Sequence, residues 1–189
     1  MNISERLKIL NQSGKTVFRL EDLKSLWQDS KLNTKITAKR MVEKGLILKL
    51  AKGYYALNKE YNIYELANLI IYPSYISFNS ALFYWNISFQ VSDTVNSVAL
   101  LNYEKKIEDK IYKYYAMKKN LFYNSRGIIW RGNVSLASPE RAILDSCYFG
   151  LLFNVDREEK INFTVLREIS SFYPKSVQQK VKKIYGSKI

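Results

Sequence analysis

The chain of 189 residues carries 30 Lys and Arg against 17 Asp and Glu, a net charge of +13, and 47% of it is hydrophobic. That length and apolar share suit one ordinary domain or two small ones and exclude global disorder. With no histidine, and Cys147 the single cysteine, the sequence excludes Ser-His-Asp and Cys-His nucleophile pairs, imidazole metal sites, Cys-rich zinc sites and an internal disulfide.

Ile3, Leu7 and Leu10 recur at helical spacing over 3–12, and Ser13-Gly14 ends that helix. Thr16-Val17-Phe18 reads as a short extended piece, leading into a second helix near 20–28 with Leu20, Leu23, Leu26 and Trp27 inward. Gln28 to Asn33 reads as a polar turn. Asn33 or Thr34 can cap a third helix running to Lys44, because a short side-chain oxygen satisfies an orphan backbone N–H; Gly45 ends the helix. Leu46, Leu48 and Leu50 then alternate with Ile47 and Lys49, and Ala51-Lys52-Gly53 turns the chain into Tyr54-Tyr55-Ala56-Leu57. Helix, helix, turn, helix and hairpin is the order of a winged helix-turn-helix, whose third helix enters the DNA major groove.

The charge is concentrated in this module. Residues 1–57 hold twelve basic and five acidic residues, a net +7, while the remaining 132 hold eighteen and twelve, a net +6. Within 31–52, Lys31, Lys35, Lys39, Arg40, Lys44, Lys49 and Lys52 face Glu43 alone, the footprint of a nucleic-acid surface rather than of an evenly spread lysine bias. On the third helix Ala38, Met41 and Val42 share one face, and Arg40 and Glu43 project from the other, flanked by Thr37, Lys39 and Lys44. Ile36 also falls on the outer side, where it either packs at the helix start or touches a thymine methyl.

The candidate DNA-binding residues follow from those positions. Asn33, Thr34, Lys35 and Thr37 lie at the helix start, within reach of base edges, and Arg40 is placed for a bidentate guanine contact. Lys31, Lys39 and Lys44 suit phosphates, and Lys52 and Tyr54 at the hairpin tip would follow the adjacent backbone or minor groove.

Beyond the hairpin, Tyr61 to Tyr72 reads as a helix stopped by Pro73, and Ser77 or Asn79 can cap a short helix through Trp85. Strands are predicted at 94–101, 111–117 and 127–130. Ser138-Pro139 opens a helix with Ile143, Leu144, Cys147 and Tyr148 buried. Helices follow at 163–171 and 175–185, the last with Val177, Val181 and Ile184 inward. The expected fold class is thus α+β: a winged helix-turn-helix over 1–58, then a small mixed α/β domain over 59–189. Glu140, Asp145, Asp156, Glu158 and Glu159 read as solvated carboxylates, Asp145 pairing with Arg141 four residues earlier, and Cys147 reads as core.

The longest apolar run, Ala81 to Trp85, is far short of the roughly 20 residues a spanning helix needs. Glu5, Arg6 and Lys8 occupy the place of a secretion signal's apolar core. A cytoplasmic, non-enzymatic protein without metal or cofactor is the expectation.

Lys44-Gly45-Leu46-Ile47 with Leu50-Ala51-Lys52-Gly53-Tyr54-Tyr55, then Pro73-Ser74-Tyr75-Ile76-Ser77 with Ser80-Ala81-Leu82, then Ala137-Ser138-Pro139-Glu140-Arg141-Ala142-Ile143-Leu144-Asp145, form three signatures in order. Together they resemble AbiEi-type antitoxins, the regulators of abortive-infection, type IV toxin–antitoxin systems, over about residues 3 to 150. Arg141 stands where those signatures have lysine, and the chain ends sooner than the longer members. The resemblance implies a repressor that binds inverted repeats in its own promoter, and a second domain that opposes a nucleotidyltransferase toxin without needing a stable complex with it. Such a protein would be a monomer or a weak dimer pairing on double-stranded DNA. The alternative is a stand-alone winged-helix regulator whose second domain binds a protein partner or ligand.

Overall fold

The computed structural model describes residues 1–188. Among them the fold is mixed α+β, with nine α-helices and two sheets, and the chain divides into two compact units, Met1–Ile70 and Ile71 onward.

In the first unit α1 (Ile3–Gln12) opens with a capping box: the Asn2 side chain accepts the Glu5 N–H at 2.9 Å, and Glu5 accepts the Asn2 N–H at 2.8 Å. Strand β1 (Val17–Arg19) runs directly into α2 (Leu20–Trp27), and three residues later α3 (Lys31–Glu43) begins. The hairpin β2 (Leu48–Ala51) and β3 (Tyr54–Ala56) follows, then α4 (Ile63–Ile70). The sheet order is β1-β3-β2, antiparallel throughout, with Val17 and Leu48 both opposite Ala56. Gly53 closes the hairpin turn at φ +83°, a left-handed conformation open to glycine at little strain. Leu10, Phe18, Leu23, Trp27, Ala38, Met41, Ile47 and Tyr55 form the core, so the first three helices and the sheet are held by one apolar cluster.

The first compact unit runs on past residue 58 to Ile70 and includes α4, which is tied to the residue just before β1. The Thr16 N–H and hydroxyl both donate to Glu65 Oε2, at 3.0 and 2.6 Å, and the Asn62 N–H donates to the same hydroxyl at 2.9 Å.

The second unit contains β4 (Ser74–Ile76), α5 (Phe78–Tyr84), β5 (Thr94–Ala99), β6 (Tyr103–Ile107), β7 (Lys110–Ala116), α6 (Lys119–Phe122), β8 (Ile128–Arg131), β9 (Val134–Ala137), α7 (Pro139–Phe149), α8 (Phe163–Ser170) and α9 (Lys175–Tyr185). Its six strands run β6-β7-β5-β4-β9-β8, with β5–β7 and β4–β9 parallel. Helix α7 begins as expected, with Ser138 accepting the Arg141 N–H and proline in the first turn. It is buried from Glu140 to Cys147, between α5, α8 and α9. In α9 the buried stripe is Val177, Val181 and Tyr185; Ile184, expected inward, is exposed.

Candidate nucleic-acid interface

The turn between α2 and α3 is short because its ends are capped within it. Gln28 adopts the left-handed conformation at φ +51° and terminates α2. Ser30, not Asn33 or Thr34, caps α3: its hydroxyl accepts the Asn33 N–H at 3.2 Å. Asp29 accepts from the Ser30 N–H at 2.8 Å and from the Asn33 side chain at 3.3 Å, and its other oxygen takes Arg6 Nη2 from α1 at 2.7 Å. The Arg6 guanidinium also lies 5.1 Å above the Trp27 ring. Helix α1 therefore fixes the turn that aims α3.

These bonds leave an electrostatic trace. The Arg6 hydrogen bond, and then that from Ser30, hold Asp29 below the usual carboxylate range, and Lys31, 2.7 Å away, does the same for Glu21 on α2. Carboxyls with lowered values contribute fully above their unfolded pKa, about 4, and lose that contribution as pH falls through the lower folded values. Acidification below pH ~4 is accordingly expected to release the turn. Loss of the distinct amide signals of Ser30 and Asn33 in NMR spectra recorded from pH 6 to 2.5 would show it. Signals unchanged until global unfolding would refute it.

Of the residues singled out from the sequence, Lys31, Asn33, Lys35, Lys39, Arg40 and Lys44 are exposed on or at the end of α3, and Thr37 is half-buried. Thr34 is a correction. It is fully buried, and its hydroxyl donates to the Ser30 carbonyl at 2.8 Å, so it cannot reach a base. Read as a cap three or four residues too late, Thr34 falls at the open start of the helix, whereas at about 100° per residue it shares the buried face of Ala38 and Met41. Lys31 pairs with Glu21, and Lys39 lies 3.7 Å from Glu43. Among the described residues, Lys35, Arg40, Lys44, Lys49 and Lys52 have no acidic partner. Lys52 stands exposed in the hairpin turn, and Tyr54, half-buried, begins β3 opposite Arg19.

Sequence reasoning passed over Leu32 and left Ile36 open. Both are exposed, at 68% and 41%, and they line a groove of about 530 Å³ between α3 and the hairpin with Lys35, Val42, Lys49 and Tyr55. The signal available was the same wheel: once α3 starts at Lys31, Leu32 and Ile36 fall at the centre of the face opposite Ala38 and Met41.

In the second unit the carboxylates expected in solvent at Glu140 and Asp145 are buried, at 6% and 0% exposure. Asp145 pairs with Arg141 Nε at 3.2 Å, as the four-residue spacing predicted, and accepts the hydroxyls of Ser77 (2.7 Å) and Tyr173. Burial raises its carboxyl above the usual range, while Arg141 and those hydroxyls pull it back. Arg141 also donates to the Tyr75 hydroxyl at 3.0 Å and to the carbonyls of Leu121, Asn124 and Arg126 at 2.9, 3.0 and 3.1 Å. Glu140 accepts the Ser138 hydroxyl and the Asn162 N–H. The second and third sequence signatures thus meet in one closed network, with both Asp145 oxygens engaged and no exposure to solvent.

Cys147 is buried on α7 as expected; burial pushes its thiol up to about 11, and its carbonyl accepts Lys180 Nζ at 3.1 Å. It borders a groove of about 710 Å³ walled by Leu151, Phe153, Val155, Lys183 and Ile184. Among the described residues no group of His, Cys, Asp or Glu could hold a metal ion, and no helix is long and apolar enough to cross a membrane. No protein-family model and no curated protein matches the chain.

Proposed function

We propose that the first unit is a winged helix-turn-helix that binds double-stranded DNA in a sequence-specific way, and that the protein is a transcriptional repressor of its own operon. The observation that carries this reading is α3 itself. It follows α2 after a three-residue turn, lies beside a two-stranded hairpin, and presents Lys35, Arg40 and Lys44 without an acidic partner among the described residues. A polyanion is the partner such a surface favours, and the helix–turn–helix order suits the major groove. The antitoxin role rests on the resemblance of the three signatures. The second unit would be the part that opposes a nucleotidyltransferase toxin. The groove beside α9 favours a second reading, in which that unit instead receives a protein partner or ligand that regulates DNA binding.

The test is a binding titration against the upstream region of the protein's own gene, beside shuffled DNA, at two salt concentrations. A complex at least ~10³ tighter than the shuffled control is expected. With about six phosphates neutralised, log K should fall against log salt with a slope near −5. Arg40→Ala should weaken the specific complex by ~1–3 kcal/mol and leave shuffled DNA nearly unaffected, whereas Lys44→Ala should weaken both alike. Equal weak binding to both duplexes would overturn the reading.

A further inference from the structure

We propose that Leu32 and Ile36 make α3 a reader of thymine methyl groups, at two positions about two base-pair steps apart. The inference rests on the DNA-binding reading above and specifies its target.

At about 100° per residue, Leu32, Ile36, Lys39 and Glu43 fall within about 60° of arc, centred opposite the buried Thr34, Ala38 and Met41. The N-terminal half of the most outward strip of α3 is therefore apolar. Leu32, at 68% exposure, makes no use of the core, and Ile36 continues its ridge one turn later. A single exposed apolar side chain needs no explanation, but two in register on the central strip of an otherwise polar helix form a surface.

The surroundings of the ridge decide what fits it. Lys35 and Lys39 flank it on one side and Arg40 on the other, and Lys49 lies across the groove. A second copy of this chain, itself at +13, would bring cations against cations. A DNA major groove offers both complements at once: phosphates along its rims and, at each A·T pair, the C5 methyl of thymine in its floor. No other base presents such a methyl there. Four residues of helix rise about 6 Å, close to two base-pair steps of about 3.4 Å. Arg40 is the next member of the same four-residue row, so a guanine contact would follow the two thymine contacts at a similar interval.

The experiment begins with duplexes enriched by the full-length protein from a random-sequence pool. Each thymine of the enriched site is then replaced in turn by deoxyuridine, which removes the methyl and keeps the pairing. Loss of about fourfold in affinity is expected at two thymines, the worth of one buried methyl-sized group each, and none elsewhere. Leu32→Ala should abolish the uracil effect at one of those positions and Ile36→Ala at the other. Both residues are exposed, so matching thermal melts will show that the variants are folded. Specific binding with no uracil effect anywhere would overturn the inference and leave the DNA reading standing; failure to enrich any sequence would overturn both. If Leu32→Ala changed only the association state of the free protein, the ridge would belong to a protein contact and the inference would fall.

Discussion

Replacing Arg141 by alanine is expected to destabilise the second unit by about 3–5 kcal/mol, because it leaves a buried carboxylate without its counter-charge. Arg141 is 1% exposed and Asp145 0%. Its fork also closes the carbonyls of Leu121, Asn124 and Arg126, which tie the segment between α6 and β8 to the core. Without it those three acceptors and the Tyr75 hydroxyl each lose a donor. Arg141→Lys should recover only part of the loss: an ammonium has three donors at one point, too few for the five oxygens the guanidinium reaches. Urea unfolding with peptide-resolved hydrogen exchange will separate the two units. A loss below about 1 kcal/mol would show that Asp145 is not left as an uncompensated buried charge, and would overturn the expectation.

The second large effect is expected at Gly127, which sits at φ +74° with side-chain atoms of Arg141, Ile169 and Ser138 against it. A Cβ there would lie 2.8 Å from Arg141 Cβ and 2.9 Å from Ile169 Cδ1. Gly127→Ala combines left-handed strain of ~1–2 kcal/mol with overpacking of ~1–3 kcal/mol, for a loss of roughly 2–5 kcal/mol. Gly132→Ala is the control: φ is +58°, but nothing lies within 4 Å of its Cβ, so only the strain applies. Equal melting temperatures for the two variants would show that the neighbours of Gly127 yield, and that contact contributes nothing.

Much of the first unit was legible because each boundary carries its own chemistry. Gly45 and Gly53 have the positive φ their turns require, and Ala38 and Met41 are buried as the wheel placed them. The start of α3 was not, since Ser30, Asn33 and Thr34 are all residues that can cap, and only the Asp29–Arg6 contact with α1 selects Ser30. That one choice decided Thr34 and hid Leu32. In the second unit β5, β7 and β8 showed as β-branched and aromatic runs. Strand β6, Tyr-Glu-Lys-Lys-Ile, is a charged sheet edge without apolar alternation, and β4 and β9 are too short and too buried to alternate. The carboxylates of α7 were misplaced in solvent for a related reason. Its apolar stripe was readable, but a helix enclosed on every side needs partners for its polar face, and those come from Ser77, Tyr173 and Asn162, distant in sequence.

The bonds from Thr16 to Glu65 and Asn62 bear on how the first unit could be transplanted. A gene fusion cut after the hairpin would strip a buried carboxylate from β1 and expose the flank that α4 covers. Cutting after Ile70 keeps the anchor, so recombination, natural or engineered, has its workable seam fourteen residues beyond the end of the hairpin at Ala56.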